Sequence, residues 1–141
     1  TVKGPAMLEY YVVPKIFAFA EKAWAQAPAW EEEPDVTKRN AALWKDWSEF
    51  SNRIGRYELG KIDRYFGSYH YRIAPPGAVI DNGTLKANIS FPGLAIRYTT
   101  DGTEPQAVST EYSSPVKVAG NVKIRAFNQS GRGSRTFRVG Q

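Results

Sequence analysis

The sequence predicts a chain that is α+β by content, with helices first and an all-β sandwich after them. Three observations carry this expectation. Apolar residues recur at three- and four-residue spacings up to Gly67 and at two-residue spacings from Tyr69 onward. All four tryptophans (Trp24, Trp30, Trp44, Trp47) precede that change, whereas nine of the twelve glycines fall between Gly67 and Gly140. Charge divides there too. Residues 1–71 hold 10 basic and 10 acidic side chains and residues 72–141 hold 9 and 4, so the net +5 belongs to the second part. The expected division is 1–67 helical and 68–141 sandwich.

In the first part, Leu8, Val12, Ile16, Ala20 and Ala23 fall on one side of a helical period. Pro14 lacks a backbone donor and disfavours helical geometry at Val13, which predicts a kink or a fresh helix start with Pro14 at its first position. Tyr10, Tyr11, Val13, Phe17, Phe19 and Trp24 occupy the other sides, so the helix needs burial on two sides. Ala27-Pro28-Ala29 ends it, and Trp30-Glu31-Glu32-Glu33-Pro34 reads as a solvated linker. The three glutamates lack the spaced partners of a cation site. Thr37 is the expected N-cap of a second helix, with Leu43, Trp47, Phe50 and Ile54 as its apolar stripe. Trp44 and Trp47 sit three residues apart, a spacing that serves either as a sugar-stacking platform or as packing against the stripe. Gly55 and Gly60 weaken the continuation, in which Tyr57, Ile62, Tyr65 and Phe66 keep helical spacing until Gly67 stops it.

In the second part, Leu85, Ala87, Ile89 and Phe91 alternate along one strand and Leu94, Ile96 and Tyr98 along the next. Val116 and Val118 form a short strand, Val122, Ile124, Ala126 and Asn128 a longer one, and Thr136 to Val139 the last. Asp81-Asn82-Gly83, Ala119-Gly120-Asn121 and Gln129-Ser130-Gly131 supply turns. The expectation is five to seven short strands in about 70 residues, the pattern of a sandwich. Arg97, Lys123, Arg125 and Arg138 take the polar alternates, and Arg132 and Arg135 flank a turn. A nucleic-acid surface would interleave aromatic platforms with those charges, and Phe91, Tyr98 and Phe127 do not do so in any simple way, which favours solvated strand faces. Two N-x-S triplets, Asn88-Ile89-Ser90 and Asn128-Gln129-Ser130, are glycosylation acceptors only in a secreted eukaryotic protein.

Composition excludes much chemistry. The absence of cysteine removes disulfides, thiolate metal sites and cysteine nucleophiles, and a lone His70 leaves no two-histidine metal motif. No metal or cofactor is expected. No window approaches a membrane span, so no membrane partner is expected either. A length of 141 residues is too short for a complete (β/α)₈ barrel of roughly 200 or more.

Glu9-Tyr10-Tyr11-Val12-Val13-Pro14-Lys15 followed by Ala20-Glu21-Lys22-Ala23-Trp24 resembles the closing barrel helix of bacterial chitobiases and β-N-acetylhexosaminidases of glycoside hydrolase family 20. That family writes the helix as an apolar run, Pro-Arg, then Ala-Glu-Arg-x-Trp, and Lys15 and Lys22 stand in place of its arginines. The resemblance continues through Trp47-x-x-Phe50, Arg56-Tyr57-Glu58-Leu59, Lys61-Ile62-Asp63 and Tyr71-Arg72-Ile73-Ala74-Pro75-Pro76-Gly77-Ala78. It ends in Phe91-Pro92-Gly93-Leu94-Ala95-Ile96-Arg97-Tyr98-Thr99-Thr100-Asp101-Gly102, which looks like the C-terminal domain of chitobiases, and it covers nearly the full chain.

The resemblance implies the last helix of a TIM barrel plus a connector over 1–67 and an immunoglobulin-like sandwich over 68–141. It implies no catalytic residue. The family's acid and its acetamido-positioning Asp lie in a His-x-Gly-Gly-Asp-Glu motif, and this chain has no Asp-Glu dipeptide. The family's Trp-x-Glu substrate motif is expected just upstream of Thr1, and Glu21 reads as a structural or surface charge. The expected function is that of a non-catalytic C-terminal fragment, the parent being periplasmic, outer-membrane-attached or secreted. The alternative is a carbohydrate-binding module that contacts an N-acetylglucosamine-containing oligosaccharide through Trp44, Trp47, Tyr98 or Tyr112. Its expected partner is the rest of the parent barrel, with self-association of the isolated chain through the Leu8–Phe19 region and no nucleic acid.

Overall fold

The computed structural model describes residues 2–65 and 68–140. They form two compact units, Thr1–Arg72 and Ile73–Gln141.

The first unit holds α1 (Pro5–Val12), α2 (Lys15–Trp24), α3 (Val36–Arg53) and α4 (Leu59–Ile62). Pro14 does force a fresh start: α1 stops at Val12 and Val13 is extended at φ −94° and ψ 130°. Pro14 itself caps α2 from outside rather than taking its first position. The freed Val13 carbonyl accepts from the Arg72 amide at 3.1 Å, and the Glu9 carboxylate accepts from the His70 amide at 2.8 Å. The stretch after α4 is thereby strapped to α1. The cap of α3 is Asp35, not Thr37. Its Oδ1 accepts from the Thr37 and Lys38 amides at 2.8 and 3.1 Å, and a carboxylate there answers both the unpaired amides and the helix dipole. The acidic linker is structured rather than merely solvated. Ala29–Glu31 forms a 3₁₀ turn, Glu31 pairs with Lys22, and Glu33 accepts from the Asp35 amide.

The two glycines do not end α3. A π-helical turn, Ile54–Glu58, carries it into α4, with Ser51, Ile54, Gly55, Leu59 and Gly60 buried. Each glycine costs about 1 kcal/mol of helix propensity, and burying Ile54 and Leu59 returns about 1.5–3 kcal/mol apiece, so burial wins. The expected stop at Phe66-Gly67 lies outside the described residues. Tyr71 is fully buried, and its hydroxyl donates to Asp63 at 3.1 Å.

The second unit is a sandwich of two antiparallel sheets. Its strands are β1 (Gly77–Asp81), β2 (Thr84–Asn88), β3 (Ala95–Thr99), β4 (Thr110–Glu111), β5 (Val116–Lys117), β6 (Lys123–Phe127) and β7 (Phe137–Arg138). One sheet runs β1-β2-β5 and the other β4-β3-β6-β7. Asn82 and Gly83, both at positive φ, join β1 to β2 with Asp81 opposite Thr84, the two-residue turn whose twist matches the strands. The core cluster is Leu85, Ile96, Val122, Ile124 and Val139, with Ala78, Ile80, Tyr98, Tyr112 and Val116 packed against it.

β2 ends at Asn88, but the expected alternation runs on beyond it, with Ile89 packed against the core and Ser90 exposed. Alternation breaks in one place. On β6, Ile124 and Ala126 face the core, yet Phe127 is also only 4% exposed. The segment 128–134 folds over that outer side. The Ser134 amide donates to the Ala126 carbonyl at 2.8 Å, and Arg125 donates from Nε to the Ser134 carbonyl at 2.6 Å while its guanidinium lies 5.1 Å over the Phe127 ring. A Cβ at Gly133 would sit 2.4 Å from Arg125 Nε, so a larger residue there would push the guanidinium out of this position. Asn128, of the second N-x-S triplet, is buried and accepts at Oδ1 from the Arg132 amide at 2.8 Å. Two further charges pair: Arg97 with Glu111 at 3.1 Å, and Lys123 with Glu104 at 2.6 Å, Glu104 also accepting from the Thr136 hydroxyl.

Leu85→Ala removes a fully buried side chain between the sheets and is expected to lower stability by about 3 kcal/mol, read as a shift of the urea midpoint. The hydrogen bonds from Lys123 and then Thr136 hold the Glu104 carboxyl below its ordinary value, and those from Thr103 do the same for Asp101. A carboxyl lowered in the folded state stabilises above its unfolded value and ceases to do so as pH falls through the folded one. The melting temperature should therefore decline as pH drops below about 4, and Glu104→Gln should give a shallower acid limb in the same scan.

Candidate functional site

A retaining or inverting glycosidase centre pairs two carboxyl groups across the scissile bond, and the glutamates of α1 and α2 are engaged elsewhere. Glu21 is tied to Arg53 at 2.8 Å with both side chains about half exposed, as its reading as a structural charge anticipates. Glu9 is occupied by the His70 amide. Among the described residues no group of three or more His, Cys, Asp or Glu side chains is placed to hold a metal, and no helix is long and apolar enough to cross a membrane.

The feature with binding geometry is a groove of about 1010 Å³ within the first unit, between α2 and α3. Ala18, Glu21 and Lys22 of α2, with Ala25 just past its end, form one wall, and Leu43, Trp44, Trp47, Phe50 and Arg53 of α3 form the other. Gln26, Pro28 and Trp30 close it from the linker. The apolar periodicity of α3 builds its wall: Leu43, Trp47 and Phe50 share a face, and the Trp47 and Phe50 rings lie 5.9 Å apart in a tilted pair. Trp44 is 65% exposed and Trp47 44% exposed, so both present indole surface to solvent.

The four aromatic residues singled out by sequence belong to different units, two to each. Trp44 and Trp47 line the groove together. Tyr98 and Tyr112 belong to the sandwich and pack against its core. The Tyr112 amide donates to the Ile96 carbonyl at 2.8 Å, and its hydroxyl accepts from the Ala87 amide at 2.9 Å, which links the two sheets. Sequence reasoning passed over Trp30, assigned to a solvated linker. Its Nε1 donates to Asp46 of α3, which holds the linker against the groove. A tryptophan inside an acidic run was the one available signal, because a large ring rarely sits in a linker without something to pack on. On the sandwich, Phe127 shares a side with Arg125 but is buried, so its ring is no stacking platform for a base.

Comparison with known proteins extends this picture. The family model for the chitobiase/beta-hexosaminidase C-terminal domain matches residues 58–136, more than half of the chain. The chain is 32% identical over 140 residues to an N,N'-diacetylchitobiase of Vibrio harveyi, covering 93% of this chain and 15% of that protein. It is 29% identical over 160 residues to a beta-hexosaminidase of Vibrio vulnificus, covering 99% of this chain and 18% of that one. A beta-hexosaminidase of Porphyromonas gingivalis is 27% identical over 140 residues, or 93% and 16% of the two chains. The chain thus spans less than a fifth of the length of these relatives, and the likeness runs past the matched segment into the helical unit. The helices followed by an immunoglobulin-like sandwich, the order of the motifs and the match over α4 and the strands agree: this chain belongs to the chitobiase/beta-hexosaminidase C-terminal domain family.

Proposed function

We propose that the chain is a non-catalytic C-terminal portion of an enzyme that removes terminal N-acetylhexosamine from chitobiose-type substrates. In this reading α1 and α2 form the closing helix of the catalytic barrel, α3 and α4 connect it to the sandwich, and the sandwich is a structural accessory domain. The observation that carries the reading is the uncovered apolar side of α1 and α2. Neither helix has a buried residue, and Leu8, Tyr11, Ile16 and Phe19 stand between 47% and 72% exposed. Covering four such side chains is worth about 1.5–3 kcal/mol each for full burial. Bringing two separate molecules together costs about 4–15 kcal/mol. A covering partner in the same polypeptide avoids most of that cost, so the stripe suits a tethered barrel better than a free second copy. The printed activities of the relatives support the choice of substrate class, and the absence of an Asp-Glu pair supports an accessory role.

Two outcomes are expected. The purified chain should show no hydrolysis of an aryl N-acetylglucosaminide, and turnover free of host enzyme would overturn the reading. The stripe should also drive weak self-association of the isolated chain, seen as a concentration-dependent sedimentation coefficient that Phe19→Glu shifts toward the monomer. A chain that sediments as a monomer at every concentration argues against an adhesive stripe.

A further inference from the structure

We propose that the groove between α2 and α3 is a binding site for a neutral oligosaccharide of N-acetylhexosamine units, with Trp44 and Trp47 as its stacking surfaces. The identity of the sugar rests on the reading above; the site itself rests on three observations.

The first is where the groove lies on α2. At about 100° per residue, Ile16, Phe19 and Ala23 share one side of the helix, the groove residues Ala18 and Glu21 lie about 100–160° round from all three, and Lys22 stands on the border, about 60° from Phe19. The apolar stripe is on the first side and the groove on the second. The stripe and the groove are thus centred on different sides of α2 and meet only at the Phe19–Lys22 border.

The second is the chemistry of the walls. A pyranose carries a flat C–H surface bounded by hydroxyls, so it needs an exposed aromatic face with hydrogen-bonding groups around it. Trp44 and Trp47 offer the faces, and Glu49, Gln26 and Arg53 stand in the same lining. The third is charge. Glu21 is paired with Arg53, Lys22 with Glu31, and Asp46 accepts from the Trp30 indole. The lining carries Glu21, Asp46 and Glu49 against Lys22 and Arg53, so its charge is nearly balanced with a slight negative excess, which disfavours an anion and leaves donors and acceptors for a neutral polar ligand. At about 1010 Å³ it stands at the upper end of small-molecule clefts.

The test is titration of the full chain with N,N′-diacetylchitobiose while tryptophan fluorescence is followed. The expected result is a saturable change that Trp44→Ala weakens at least tenfold. Trp24→Ala should leave it as it is, since Trp24 is 82% exposed and outside the lining. Trp44 is itself exposed, and an unchanged circular-dichroism melt confirms that its variant is folded. The indole N–H resonances of Trp44 and Trp47 should shift on binding and that of Trp24 should not. No saturable change, or a change that survives in both Trp44→Ala and Trp47→Ala, overturns the site. This failure is separable from failure of the accessory reading, because a chain that ignores the sugar and is also inert toward the aryl glucosaminide loses only the groove proposal.

Discussion

A strand that alternates every second residue can bury one face only if another sheet supplies the opposite wall, and the sandwich depends on that requirement at β6. Ile124 and Ala126 are fully buried on its inner side against the wall that Leu85 provides from β2. The outer side would ordinarily be solvated. Here residues 128–134 fold back over it, and Arg125 turns its guanidinium onto the Phe127 ring while donating to the Ser134 carbonyl. β6 is thus enclosed from both directions, and the shorter strands β4, β5 and β7 need only extend sheets already set by β3, β6 and the β1–β2 hairpin. The positive charge of this half follows from the same arrangement. Arg97, Lys123 and Arg125 are spent on Glu111, Glu104 and a backbone carbonyl, so the excess does not form a free basic surface on those strands.

How much of this the residues announce depends on whether the deciding interaction is local. The Asn82-Gly83 turn was legible because two adjacent residues that tolerate positive φ select one hairpin geometry. The break at Pro14 was legible for an equally local reason, a missing amide and a crowded neighbour. The cap of α3 was misplaced by two residues, because Asp35 and Thr37 are both good caps and the choice is made by which oxygen reaches two amides. The helical spacing through Gly55 and Gly60 was legible, and what no short window reports is why the weakness they bring is tolerated: burial of Ile54 and Leu59 outweighs their poor propensity. Phe127 defied alternation because its cover comes from a loop beyond its own strand. β4 is missing from the sequence reading because two residues fix no period, and β1 because Ala78-Val79-Ile80 is apolar at every position although Val79 faces out.

The groove shows the same divide. Trp44 and Trp47 were identifiable from their spacing on an amphipathic helix, and the structure sets them in one wall. Trp30 and Asp46 were not paired by any sequence argument, because a linker–helix contact sixteen residues apart has no periodic signature. Tyr98 and Tyr112 carry the same aromatic chemistry as the tryptophans but are committed to the sandwich core, one through its ring and the other through a hydroxyl that ties the sheets together. Residue type marks what can stack on a ligand; the surroundings decide whether its face remains available.

α2 then separates two tasks that a single apolar helix could easily confuse. Its Ile16 and Phe19 side is apolar and uncovered, whereas its Glu21 and Lys22 side is polar, internally paired and concave against the tryptophans of α3. The first side gains only by excluding water, so it suits any close-fitting protein surface and discriminates little. The second combines ring faces with oriented donors and acceptors, an arrangement that gains more from a ligand able to satisfy both. If the stripe belongs to the assembly of a larger enzyme, the same helix can present a ligand site on another side, with Phe19 and Lys22, three residues apart, as the one pair through which a substitution for one role reaches the other.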